Sequence, residues 1–249
     1  METRTEKQTR KSSRIPAVES AVGSLADKPK RAAKTLRAMY VALIAAYGPQ
    51  RWWPAETRFE MIVGAYLTQA TSWRSVERSL ENIRAAGLLG IEGIRNIPGE
   101  SLRELIRPSG FVQRKAASLH AFVRFLDEHY GGSLDKLREQ APAVAREQLL
   151  ALPGIGAETA DAILLYALDH PAFVVDEYFR RVMTRHGLAA ERASYEELQR
   201  LGELAVTSQT QRETALHANE LHALIVEVGK RHCKRTAQCS GCPLQRFFT

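Results

Sequence analysis

Cysteine is nearly missing from this chain. Its three cysteines, Cys233, Cys239 and Cys242, all fall within the last 17 of 249 residues. That pattern excludes a disulfide framework and implies a reducing compartment. Long apolar runs are missing too. No stretch reaches 18 apolar residues, so no membrane span is expected. The first residues hold no apolar segment of the kind a secretory leader needs, and none is expected. Alternating patterns of strand length are also lacking. What remains is an all-α protein, long enough to bury a sizeable core.

The basic excess is unevenly spread. Residues 1–37 carry ten Lys and Arg against four acids, which is +6 of a net +7. The rest of the chain is therefore close to neutral, and the charge says little about the part that folds. Residues 1–33 are rich in Ser, Thr, Lys and Arg and poor in large apolar residues, so a disordered basic tail is expected. Such a tail suits non-specific phosphate contact and equally a solvated leader.

Apolar residues recur at helical spacing from Lys34 to Tyr47, and Phe59 to Gln69 is almost wholly apolar. Ser72 is placed to cap the next helix, which stops at Gly87. Gln113 to Tyr130 reads as a long helix ended by Gly131-Gly132. Further helices are expected to about His186, from Ser194 to Val206 and from Glu213 to Arg231.

The densest signal is Leu149–Val182, LLALPGIGAETADAILLYALDHPAFVVDEYFRRV. Two glycines two residues apart permit a tight turn and close approach to a ligand. The helix that follows aims N–H groups and a positive end outward, which suits a phosphate. The turn alone is equally an ordinary helix connection. Asp176 alone is equally an N-cap residue.

Together these residues resemble the helix–hairpin–helix/Gly-Pro/Asp superfamily of DNA glycosylases, to which endonuclease III belongs. LPGIG matches the hairpin, His170-Pro171 the Gly/Pro loop, and Asp176 the essential aspartate. The resemblance runs from about Tyr47 to Pro243. It implies two helical lobes with a DNA-facing cleft between them, one at 58–172 and the other formed by 34–57 and 173–232. The segment 233–249 stands apart as a cysteine loop.

The resemblance also implies roles. Asp176 is the expected catalytic carboxylate, stabilising positive charge on the sugar and directing water. Leu152, Pro153, Gly154, Ile155, Gly156, Glu158 and Thr159 are the expected phosphate-binding hairpin. Gln69 is expected to enter the gap left by a flipped base, with Phe111 and Val112 as the wedge. Trp52, Trp53 and Trp73 are the expected base pocket, since indoles stack on a flat cationic purine. Each of these aromatics is equally a core residue when taken alone. His222 reads as a core or helix-face histidine.

Two departures matter. Bifunctional relatives carry a Schiff-base lysine where this chain has Glu158, and a carboxylate cannot form an imine. The four-thiolate pattern C-x6-C-x2-C-x5-C of cluster-bearing relatives becomes C-x5-C-x2-C here, with Phe248 in the fourth place. Cys233, Cys239 and Cys242 could then hold a partial 4Fe–4S cluster, a zinc ion with His232, or nothing.

The expected activity is a monofunctional glycosylase acting on alkylated purines such as 3-methyladenine in double-stranded DNA, needing no cofactor for its chemistry. The alternatives are a bifunctional glycosylase/AP lyase acting on oxidised pyrimidines, and a non-catalytic DNA-binding protein. A monomer is expected, cytoplasmic and nucleoid-associated in a prokaryote or nuclear in a eukaryote.

Overall fold

The computed structural model describes residues 28–50, 52 and 55–248. Trp53 and most of the expected basic tail lie outside the described residues. Among those described, the regular structure is helical, and the one bridge is an isolated pair, Cys233–Ala237. No helix is long and apolar enough to cross a membrane.

The helices are α1 (Lys28–Tyr47), α2 (Arg58–Thr68), α3 (Trp73–Ala85), α4 (Ile91–Asn96), α5 (Gly99–Leu105), α6 (Val112–Tyr130), α7 (Leu134–Arg138), α8 (Pro142–Leu150), α9 (Ala157–Ala162), α10 (Glu177–Arg185), α11 (Tyr195–Val206) and α12 (Gln211–Arg231). α2 is the buried centre of its set, packed against α3, α6 and α9. Its Phe59, Ile62, Val63, Tyr66 and Leu67 are all buried. α1, α11 and α12 pack on one another, and α10 packs on α12.

Two local expectations are corrected. α1 starts at Lys28 rather than Lys34. Pro29 in its first turn needs no N–H there, and Ala33 is already buried in the core. Residues 28–33 are therefore helix, not tail. Ser72 occupies the N-cap position of α3 without capping it; its hydroxyl lies 3.0 Å from that of Ser75. The capping boxes Ser194–Glu197 and Thr210–Glu213 open α11 and α12, the latter starting at Gln211 rather than Glu213.

The segment after the hairpin is held from behind. Asp161 on α9 is fully buried, and its carboxylate takes both Arg146 nitrogens at 2.8 and 3.1 Å. It also accepts from the Tyr195 hydroxyl at 2.8 Å and the Gln199 amide at 2.7 Å. Gln199 reaches on to the carbonyl of Phe173, and the Val175 N–H points at the Tyr195 oxygen. One buried carboxylate thus links α8, α9 and α11 to the strand-like run that leads into Asp176.

Candidate active-site cleft

α9 passes directly into a π-helical turn, Ile163–Ala167. Such a bulge shifts the side-chain register, and Tyr166 comes to line a cleft of about 620 Å³. This volume suits a single flat ligand. Asp176 and His222 share that cleft with Trp52 and Trp73, although Trp52 and His222 are 170 residues apart.

Asp176 is the N-cap of α10, in extended conformation. Its Oδ1 accepts the Phe179 N–H at 2.7 Å, and its Oδ2 lies 3.6 Å from His222 Nε2. One oxygen is therefore spent on the helix and the other faces the site. His222 is buried, and its Nδ1 is hydrogen-bonded to the Tyr166 hydroxyl. The Trp52 ring leans on His222 with centroids 5.3 Å apart and meets Tyr166 edge-on at 6.1 Å. The Trp73 indole N–H donates to Glu77 at 2.7 Å.

The structure places Glu158 on the cleft wall. A carboxylate in the hairpin would repel a phosphate, and here it stands near Asp176 instead. It remains open to solvent, yet the cleft walls displace enough water to push its carboxyl above the ordinary value. The Asp176 charge pushes the same way and His222 opposes it. Thr159 is buried, and its hydroxyl meets the Gln69 amide at 3.1 Å.

The hairpin turn itself lies outside the cleft. Gly154 has φ +79°, and a Cβ there would come within 2.4 Å of Ser118 Oγ, so this turn needs glycine. Gln69 donates to the Gly154 carbonyl at 2.7 Å, so its side chain is folded onto the hairpin. Phe111 is 62% exposed with φ +49°, and the Arg114 guanidinium sits 5.4 Å from its ring. Val112 is half-buried behind it.

The sequence reading did not place Tyr166, His222 and Lys230 in the cleft, which they line. Tyr166 and His222 are polar aromatics inside the apolar runs ILLYAL and LHALIV, and that was the available signal. Lys230 carries an ammonium 6.0 Å from the Trp52 ring centroid. Nothing local marks it.

The cysteines lie elsewhere. Cys233, Cys239 and Cys242 border a separate hollow with His186 and Phe248. Three thiolates are one short of a four-thiolate cluster, and His232 borders the same hollow. Among the described residues, no group of three or more His, Cys, Asp or Glu is disposed to hold a metal ion. The fourth place is filled by the Phe248 ring, 4.4 Å from that of His186. Arg185 fastens the loop instead, donating to Cys233 Sγ at 3.2 Å and to the carbonyls of Lys234 and Arg235 at 2.7 and 2.8 Å.

Comparison with known proteins fits this geometry. Residues 63–207 match the family model described as HhH-GPD superfamily base excision DNA repair protein. A putative DNA repair glycosylase of Methanocaldococcus jannaschii is 42% identical over 210 residues, spanning 84% of this chain and 93% of the relative. Among solved structures, the H. pylori 3-methyladenine DNA glycosylase bound to 1,N6-ethenoadenine superposes with a TM-score of 0.66 at 32% identity. The match covers 80% of this chain and 97% of that one. A trapped endonuclease III–DNA covalent intermediate shares the fold, with a TM-score of 0.71 at 21% identity over 86% of this chain and 94% of that one.

Proposed function

For a chain that belongs to the HhH-GPD superfamily of base excision DNA repair proteins, and so is a DNA glycosylase, we propose that the cleft receives a flipped-out alkylated purine and that Asp176 directs hydrolysis of its N-glycosidic bond. One observation carries this reading. Asp176 caps its helix with one oxygen and keeps the other toward an aromatic-walled cavity sized for one base.

Departure of the base develops positive charge on the sugar. The Asp176 carboxylate stabilises that charge and takes a proton from the attacking water. His222 stands behind it, turned by its bond to Tyr166 so that Nε2 faces Asp176. An alkylated purine is cationic and flat, and Trp52 and Trp73 offer it electron-rich faces. The backbone turn at Gly154 and Gly156 approaches a phosphate, Phe111 enters the base stack, and Gln69 leaves Gly154 to fill the gap.

Water is the nucleophile in this scheme, because Glu158 offers no amine. Lys230 favours a second reading, as a wall residue whose amine could open the sugar as a lyase.

The test is Asp176→Asn. Asparagine caps a helix about as well as aspartate, so fold and DNA affinity should persist. Release of 3-methyladenine from a duplex should vanish. Retention of most of that release would end the assignment.

A further inference from the structure

Lys115, in the first turn of α6, is 1% exposed, and no step of the proposed chemistry uses it. Its Nζ donates to the Leu67 carbonyl at 2.8 Å, to Thr71 Oγ1 at 2.7 Å and to the Ser109 carbonyl at 2.8 Å. An ammonium has three N–H donors, and all three are taken. The acceptors belong to two separate turns. Leu67 and Thr71 bracket Gln69; Ser109 lies two residues before Phe111.

Both turns are strained. Ala70 has φ +51° and Phe111 has φ +49°, and neither is glycine. L-residues hold that conformation only where the surroundings enforce it. Thr71 completes the knot by donating to the Ser109 carbonyl at 2.6 Å. We propose that Lys115 is a positioning residue that locks the Gln69 turn to the Phe111 turn, so that gap-filling and wedging act as one unit when a base is extruded. This rests on reading Gln69 and Phe111 as the inserting residues.

The charge of the clamp is what makes it tight, since ionised donors give the stronger hydrogen bonds. The acceptors facing it from the α2 end and from the 107–109 turn are neutral, and the charged neighbour acting on it is Arg114 on its own helix. Burial, and secondarily Arg114, lower the Lys115 amine to about 8. Above that pH the clamp loses a donor and its charge. Fold stability moves the other way. The unfolded chain, with an ordinary amine, binds more protons between pH 8 and 10.5, so losing this proton stabilises the native state. A merely structural lysine would not make insertion fall while the melting temperature holds.

The experiment uses duplexes carrying one alkylated purine, with 2-aminopurine beside it to report unstacking. In wild type, both the 2-aminopurine signal and single-turnover release should fall about tenfold per unit above pH 8, with no drop in melting temperature from pH 7 to 9. Lys115→Met should bind DNA nearly normally, release base at least tenfold more slowly at pH 7, and show a flat profile from pH 7 to 9. A variant as fast as wild type, or one that keeps the step at pH 8, overturns the proposal. If Lys115→Met does not fold, the wild-type 2-aminopurine profile decides alone, and absence of the step refutes the clamp. The signal reports insertion without chemistry, so failure of the Asp176 assignment would leave this result intact and recognisable.

Discussion

Replacing Asp161 with asparagine tests the buried network without changing its shape. The carboxylate receives Arg146 on one oxygen and Arg146, Tyr195 and Gln199 on the other. Asparagine has one acceptor oxygen. Turned toward the three-donor side, its NH₂ meets the Arg146 Nε–H; turned the other way, it meets the Tyr195 and Gln199 donors. Either way at least one donor pair conflicts and Arg146 loses its counter-charge. Breaking a buried pair by removing one charge costs about 3–5 kcal/mol. Arg146 is 32% exposed and can be partly rescued by water, so the lower end, about 3 kcal/mol, is the expected loss. For a domain of this size each kcal/mol moves the melting temperature by about 2–4 °C. The expected fall is therefore about 6–12 °C, read by thermal denaturation at neutral pH. Base release well below the melting point should slow as well, because the network anchors the run into Asp176. A fall under about 2 °C would refute the reasoning and make the network ornamental.

Two further outcomes are expected. Borohydride should trap no covalent protein–DNA adduct; an efficient trap abolished by Lys230→Ala would move the molecule to the lyase reading. Anaerobically prepared protein should carry no stoichiometric iron, and Cys239→Ala should leave the melting temperature unchanged while Arg185→Ala lowers it, since the arginine fastens the loop.

The hairpin and Asp176 were legible because their geometry is local. Gly154 stands where φ is positive and a Cβ would strike Ser118, and Asp176 sits where a helix must start. The all-helical class was legible for the same reason, being written in periodicity. What could not be read depends on contacts far apart in sequence. Tyr166 and His222 meet across 56 residues, and in a linear reading each is one polar residue in an apolar run. Lys115 lies in a helix that was legible from its spacing, yet nothing local says that its amine is swallowed by two turns. Glu158 was placed with its hairpin neighbours, yet a helix turns successive residues about 100° apart. Residues side by side in sequence thus serve different surfaces. The cysteine spacing was legible, whereas the hold of Arg185, 48 residues upstream of Cys233, on that loop was not.

The packing of α1 on α11 and α12 sets an order of events during synthesis. The apolar stripe of α1, with Leu36, Met39 and Leu43, is made long before the α11 and α12 surfaces that cover it. The last long helix brings His222 and Lys230, so the cleft is walled only once α12 has been made. The hairpin turn, whose residues lie earlier in the chain, is complete before the cleft is. The greasy first helix must meanwhile be shielded by a chaperone or risk association. A chain cut before α12 lacks His222 and Lys230 and is expected to release no base.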